Sequence, residues 1–291
     1  MPEVILTEKE FGLFRDLIYS LAGISMNSSK RELVQSRLRR RLQIHSCQTF
    51  SEYYNLVSDP ACEASEIEAM INCLTTNTTS FFREQHHFDY VRTEIVPTLL
   101  KGQKYGQAKP TLKIWHAGCS TGEEPYSLAI TLAQCQRETR NAFDFRQLAT
   151  DIDTNVLASA AKGIYSSDKV DGIPEATRRS AFLRSKDDSE DLYKVKPELR
   201  EHIVFRQLNL LADAWPLRRD TRFDMIWCRN VVIYFDKPTQ RRLFARFAEL
   251  IKPEGHLFIG HSESLLGVSN AFDTHGHTIY QLRGVERENA A

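Results

Sequence analysis

Between Leu112 and Glu138 an apolar run, LKIWHA, meets the small-residue turn GCSTG, and the helical pattern EEPYSLAITLAQCQRE follows at once. No other feature restricts the fold as much. Parallel strands must be joined by a crossover, and a strand running through a glycine turn into a helix is the opening half of one. The rhythm then repeats. FDFRQLATD reads as a strand and TNVLASAAKG as a helix, HIVFRQL and FDMIWCR as strands, and KPTQRRLFARFAELIKPEG as a helix with Gly255 past its end. HLFIGH and HTIYQL close the pattern as strands, joined by a longer loop that allows antiparallel pairing at the sheet edge. The expectation is an α/β protein with a doubly wound, mostly parallel sheet.

The sequence before this unit has no strand signal. Thr7 with Glu10 fits a capping box, Phe11, Phe14, Leu17, Ile18 and Leu21 recur at helical spacing, and Gly23 ends the helix. Ser29 with Glu32 reads as a second box before Val34, Leu38 and Leu42, and Thr49 with Glu52 as a third. A fourth helix is expected over Ser65 to Leu74. A small helical bundle follows. NTTSFFRE (77–84) breaks the pattern, a helix through HHFDYVRTEIVPTLL comes next, and KGQKYGQAKP (101–110) reads as a linker. Between Tyr165 and Glu201 the strand–helix rhythm lapses into charged turn residues and an alternation at Leu192 to Val195, which suggests a small inserted hairpin or antiparallel sheet.

Composition narrows the function. Lys plus Arg and Asp plus Glu both number 38, a balance unlike the basic excess of general nucleic-acid binders. No apolar run reaches the roughly 18 residues of a membrane helix, and MPEVILTEKEF lacks the basic start of a secretory signal. Cys47, Cys62, Cys73, Cys119, Cys135 and Cys228 form no C-x-x-C pair, so reduced thiols and a cytoplasmic location are expected. The histidines, including His86-His87 and His275-x-His277, lack metalloprotease spacing, and no metal is expected.

The turn admits three readings. GCSTG is literally G-x-S-x-G, which would make Ser120 a hydrolase nucleophile with His261, His275 or His277 as base. However, an elbow serine normally follows several strands, and LKIWHA is the first. A dinucleotide turn needs G-x-G-x-x-G, and Ser120 stands where the middle glycine belongs. S-adenosylmethionine carries no phosphate, so it needs a close-approach turn, an acid for its amino group and an acid for its ribose. Glu123 and Glu124 open the first helix, where its dipole favours carboxylates, and Asp151 ends the second strand. Plain helix capping is the alternative for Asp151 and Asp153, and Asp153 or Thr154 fits a cap alone. Arg229, Asn230 and Tyr234 follow FDMIWC, and Asn209 follows RQL, all at strand ends where ligands bind in open α/β sheets. A surface turn with a half-buried Tyr is the ordinary alternative there. Arg83, behind Phe81-Phe82, is either a solvated anchor or a cation held over a site. Residues 28–45 carry Lys30, Arg31, Arg37, Arg39, Arg40 and Arg41 against Glu32 alone, which is either a solvated face or a surface for an acidic partner.

Taken together, TTNTTSFFRE, STGEEPYSLAITLA, ATDIDTNVL, CRNVVIYFDK and GHSES, in that order, make the chain resemble the bacterial chemotaxis receptor methyltransferases over nearly its whole length. The resemblance implies an all-α N-terminal domain (1–76) before a Rossmann-like class I methyltransferase domain (77–291) with a small β-subdomain inserted at about 166–201. It implies S-adenosylmethionine as cofactor, S-adenosylhomocysteine as product, and cofactor contacts from Asn77, Thr79, Arg83, Glu124, Asp151, Asn209, Leu210, Arg229 and Asn230. Arg83 and Tyr234 match residues near the transferred methyl group. The implied activity is methylation of glutamate side chains on chemoreceptor cytoplasmic helices, giving glutamate 5-O-methyl esters in chemotaxis adaptation. The implied partners are methyl-accepting chemoreceptors, met through Arg37, Arg40 and Arg41, with no nucleic acid and membrane proximity only through receptors. A non-catalytic, cofactor-binding docking module is the alternative. Two departures stand out: His116 where related methyltransferases often carry an acid, and Ser120 in place of their middle glycine. SKDDSED in the insertion also differs from the glycine-rich sequence of members that tether to a receptor's C-terminal pentapeptide.

Overall fold

The computed structural model describes residues 4–101, 107–185 and 191–283. Helix α1 (Glu8–Ala22) starts at the expected capping box, Thr7 accepting the Glu10 amide while Glu10 accepts the Thr7 amide, and ends at Gly23 in the left-handed region, φ 68°. Helices α2 (Arg31–Ile44), α3 (Phe50–Ser58) and α4 (Ala64–Leu74) complete the bundle. Its core is Phe11, Phe14, Ile18, Val34, Leu38, Phe50, Tyr53 and Met70, the residues that repeat at helical spacing. The expected box at Ser29 is absent. A short 3₁₀ turn (Ser28–Lys30) precedes α2, which has no side-chain cap, and the Ser29 hydroxyl instead donates to Asn27.

After the NTTSFFRE break (77–84) the chain forms α5 (His86–Tyr90), a π-helical turn (Val91–Ile95) and α6 (Val96–Lys101). The widened turn sits directly before Pro97, which has no N–H to continue an α-helical ladder. Strand β1 (Thr111–Ala117), helix α7 (Glu123–Glu138), β2 (Asp144–Asp151) and α8 (Thr154–Lys162) follow the expected rhythm. Next come β3 (Ile164–Ser166), α9 (Ser167–Val170), α10 (Glu175–Ala181), β4 (Phe182–Arg184) and β5 (Leu192–Val195). These strands form a separate antiparallel sheet in the order β3-β5-β4, so the insertion is a sheet with two short helices rather than a bare hairpin. Then α11 (Pro197–Arg200), β6 (Ile203–Gln207), β7 (Phe223–Cys228), α12 (Lys237–Leu250), β8 (Ile251–Ile259), β9 (Phe272–Gly276) and β10 (Ile279–Leu282) finish the chain.

The main sheet runs β6-β2-β1-β7-β8-β10-β9. The pairs β1·β2, β1·β7, β2·β6 and β7·β8 are parallel, while β10 is antiparallel to both neighbours. The chain builds outward from β1 to β2 and β6, then restarts on the other side at β7. The order therefore reverses between β1 and β7, and their carboxyl ends flank the crevice where such sheets bind ligands. One face of the sheet packs Phe88, Leu128, Phe145 and Trp227, and the other packs Trp115, Phe244, Phe247 and Ile259.

Two expectations change. Helix α12 stops at Leu250 because Ile251 already pairs with Phe223, and Pro253 cannot extend a helical ladder. Gly255 is a strand residue, not a helix end. A Cβ there would lie 2.9 Å from the Lys252 carbonyl oxygen and 3.0 Å from that of Asp224. Strand β9, read as loop in the sequence, forms because β10 offers a free edge to pair with. Among the described residues no helix is long and apolar enough to cross a membrane.

Candidate functional site

A cavity of about 210 Å³ opens at the β1/β7 crevice. Asn77, Thr79, Arg83, Glu124, Asp151, Asn209, Leu210, Arg229, Asn230 and Tyr234, scattered over more than half of the sequence, all line it. The floor is the turn after β1. Gly118 sits at φ 101°, and a Cβ there would come 2.3 Å from Val231 Cγ2. A Cβ on Gly122, at φ 95°, would come 2.9 Å from Ala160 Cβ. The turn is anchored where the Gly118 and Cys119 amides both donate to the Thr150 carbonyl at 2.8 and 2.9 Å. Ser120, at φ 48°, donates its hydroxyl to the Asn77 carbonyl at 2.9 Å and its amide to Asp151 at 2.8 Å. Its hydroxyl thus holds the 77–84 segment and does not donate to a histidine, which counts against the hydrolase reading.

The two glutamates that open α7 diverge. Glu123 is buried and turned toward the insertion, with Lys169 Nζ 3.4 Å from one oxygen and the Thr121 hydroxyl donating to the other at 2.6 Å. Glu124 faces the cavity and is held on both oxygens, by His116 Nδ1 at 2.8 Å and Arg229 Nη1 at 3.0 Å. Burial alone would raise its pKa, yet the His116 hydrogen bond and the Arg229 charge hold it below the usual range. His116 is in turn fixed by Gln147 at 2.7 Å, which explains the departure at this position: the imidazole is a buried brace for Glu124.

Arg229 is the centre of the charged wall. It is buried, lies 3.2 Å from Glu84 and 3.0 Å from Glu124, donates to the Arg83 carbonyl, and packs 5.5 Å from the Trp227 ring centre. Burial opposes ionisation of Glu84, but Arg229 and hydrogen bonds from His261 more than offset it and bring its pKa to about 2. His87, wholly buried beneath this pair, is held to about 3 by burial and then by the Arg229 charge. On the opposite rim Asp151 accepts the Ser120 and Asp153 amides, and burial raises its pKa. Asp153 caps α8 and also accepts Asn77 Nδ2 at 2.7 Å, so the capping residue positions a cavity residue.

Residues that the sequence reading passed over complete the site. Glu263, inside GHSES, accepts the amides of Asn230 (2.9 Å), Gly260 (2.6 Å) and Ile233 (3.3 Å). It thereby fixes Asn230 at φ 58° and the turn that carries Tyr234. The α1–α2 connection supplies Ile24, Ser25, Met26 and, from its 3₁₀ turn, Lys30, and α2 supplies Leu33. They reach the cavity because the bundle docks on the sheet rim. Asn209 Nδ2 donates to the Leu21 carbonyl at 2.7 Å, the Ser25 amide to the Tyr234 carbonyl at 2.8 Å, and the Tyr19 hydroxyl to Asp236 at 2.7 Å. No local pattern in the sequence announces such docking.

The basic helix is less free than its composition suggests. Arg37 donates to the Leu74 and Thr75 carbonyls at 3.1 and 2.7 Å. Arg41 pairs with Glu66, which also accepts Tyr53 at 2.6 Å. Arg40 is exposed.

The cavity suits an amphipathic, cationic nucleoside. It offers an ionised carboxylate braced at one rim, a carboxyl with free acceptor capacity at a strand end, a turn with no room for a Cβ, and apolar walls from Leu210 and Val231. Comparison with known proteins agrees. Residues 77–281 match the family described as CheR methyltransferase, SAM binding domain, and residues 9–75 its all-alpha domain. The chain is 41% identical to chemotaxis protein methyltransferase 2 of Pseudomonas aeruginosa, over 94% of this chain and 93% of that one. It is 42% identical to the chemotaxis protein methyltransferase of Klebsiella aerogenes (95% and 90%) and 38% identical to that of Escherichia coli (95% and 92%). With the crevice, the braced acid and both matched regions in register, the chain belongs to the CheR methyltransferase family and carries its S-adenosylmethionine-binding domain.

Proposed function

We propose that the chain methylates glutamate side chains on the cytoplasmic helices of chemoreceptors, giving glutamate 5-O-methyl esters and S-adenosylhomocysteine during adaptation. The observation that carries this reading is Arg83. It lines the same cavity as Tyr234 and, among the described residues, its guanidinium makes one hydrogen bond, to the Thr78 carbonyl at 3.2 Å. The rest of its donor fork is available for a carboxylate. The names of the relatives support the chemotaxis setting.

A glutamate carboxylate, with a pKa near 4.3, is already ionised at neutral pH and needs no general base. Bound S-adenosylmethionine supplies an electrophilic methyl group on a sulfonium. The protein's own work is then positioning and exclusion of water. Arg83 orients the attacking carboxylate, and Tyr234 packs beside the transferred group and offers its hydroxyl. Glu124 takes the cofactor's ammonium and Asp151 its ribose hydroxyls, while Asn77, Thr79, Asn209, Leu210, Arg229 and Asn230 complete the pocket. Of Arg37, Arg40 and Arg41, Arg40 is the exposed one presented to an acidic receptor helix, with Arg37 and Arg41 setting the field behind it. The protein acts in the cytoplasm, at the membrane only through its receptors. The acidic segment at 186–190, which bears on pentapeptide tethering, lies outside the described residues.

The test combines methyl-labelled cofactor, the protein and chemoreceptor cytoplasmic fragments, and counts label released as methanol by mild base. Base-labile label that disappears when the receptor glutamates become alanine is the expected result. Cofactor binding without any base-labile label would leave the non-catalytic docking module as the better reading.

A further inference from the structure

We propose that Glu84, His86 and His87, on the turn from Arg83 into α5, form a binding site for one divalent transition-metal ion of the zinc class. The sequence shows no metal-binding spacing here, because adjacent histidines do not share a helix face. The tertiary structure gathers them. Glu84 sits in the left-handed region at φ 59°, and one potential ligand atom from each of the three residues lies within 4.8 Å of the others.

The hydrogen bonding assigns the free lone pairs. His86 Nε2 and His87 Nε2 approach the same backbone carbonyl, that of His277, at 3.1 and 3.0 Å. A carbonyl only accepts, so each Nε2 carries the proton and each Nδ1 keeps a lone pair. This is how metal-binding histidines are usually oriented, one nitrogen held by an outer carbonyl and the other left for the ion. His87 is 0% exposed, and its Nδ1 has no hydrogen-bond partner. It faces Glu84 Oε2 at 3.6 Å, a second buried acceptor without a hydrogen bond. Two buried acceptors pointed at one another repel unless something electropositive lies between them. Tetrahedral ligands on bonds of about 2.0–2.1 Å stand about 3.4 Å apart, close to the separation seen.

The neighbouring charges allow a cation. Arg229 lies 3.2 Å from Glu84 Oε2, outside hydrogen-bond geometry, and its charge is shared with Glu124 at 3.0 Å. Two carboxylates against one guanidinium leave the cluster with a net negative charge. His261 Nδ1 lies 2.9 Å from Glu84 Oε1 and completes the surrounding groups. His86 is exposed, which gives an ion a path in. Two imidazoles and a carboxylate favour zinc, cobalt or nickel over magnesium or calcium.

The metal-stripped full chain would be titrated with Zn2+ by calorimetry and with Co2+ by visible absorption. Saturation at one ion per chain is expected, with the absorption of low-coordinate Co2+. The variant His86→Ala removes an exposed ligand without touching the core and should weaken binding by at least about tenfold. His275→Ala, in the neighbouring histidine pair, should leave it unchanged. The proposal is overturned if no saturable one-ion binding occurs, if His86→Ala binds as tightly, or if His275→Ala is the variant that loses the ion.

Discussion

Two arginine–carboxylate clusters, built from the same chemistry, do different things in this molecule. In the bundle, Arg41 meets Glu66, and both Glu66 oxygens are taken, one by Arg41 Nε and Tyr53, the other by Arg41 Nη2 and His45. Burial works against the Glu66 charge, yet those partners hold its pKa below the usual range. Beside the cavity, Arg229 meets Glu84 and Glu124, but the cluster is not closed. Glu84 Oε2, His87 Nδ1 and Arg229 Nε lack hydrogen-bond partners, and Glu124 and Arg229 line the cavity. A closed cluster pins helices together. An open one holds charge ready for something else, and buried polar groups left unmatched mark where function resides.

The comparison can be broken by substitution. The largest effect is expected at the open end: Arg83→Ala should lower turnover by about a thousandfold, with an unchanged thermal transition, because a charged donor to the reacting carboxylate is lost. Normal turnover in that variant would remove Arg83 from the chemistry. Arg229→Gln should then weaken cofactor binding by about a hundredfold, since Glu124 loses its cation; calorimetry with the product would read this directly. In the closed cluster, Arg41→Ala should cost about 3 kcal/mol of stability by leaving the buried Glu66 without its guanidinium, while the folded fraction keeps its kcat. The pair Arg41→Met with Glu66→Leu should recover most of that loss in a denaturant titration.

Acid provides a milder probe. Burial, and then the neighbouring His275, hold His256 to about 4, and it contacts the Tyr90 hydroxyl at 3.3 Å. The folded state keeps it neutral while the unfolded chain takes up a proton below about pH 6.5, so stability falls as pH drops from 6.5 toward 4. The loss should be on the order of 2–3 kcal/mol and should shrink in His256→Phe, as read from unfolding midpoints across that range. The smallest effect is expected at Ser120→Ala. It removes one hydrogen bond to the Asn77 carbonyl, about 1 kcal/mol, with turnover near normal. Loss of all activity there would reopen the nucleophile reading.

Most of the frame was legible in the sequence because it rests on short-range physics. The Thr7–Glu10 box, Gly23, the period of Phe11 to Ile18, and the run from LKIWHA through GCSTG into α7 all depend on neighbours within a few positions. The failures share a cause. Ser29 loses its cap to a 3₁₀ turn, α12 yields to pairing of Ile251 with Phe223, and β9 exists because β10 is there to receive it. Partners distant in the chain decide each of these, and local preference does not register them.

The same line divides the site. From sequence alone came the α/β order, the helical bundle ahead of it, the insertion and the polar residues at strand ends, since each is written in periodicity or motif. Only the tertiary structure decided that Glu124, not Glu123, faces the cavity, and that His116 and Glu263 are braces. The docking of the bundle also turns Met26 and Lys30 into cavity wall while spending Arg37 and Arg41 inside the protein. Those outcomes depend on which side of a packed interface a side chain meets its partner, and that is settled only when the whole chain has folded.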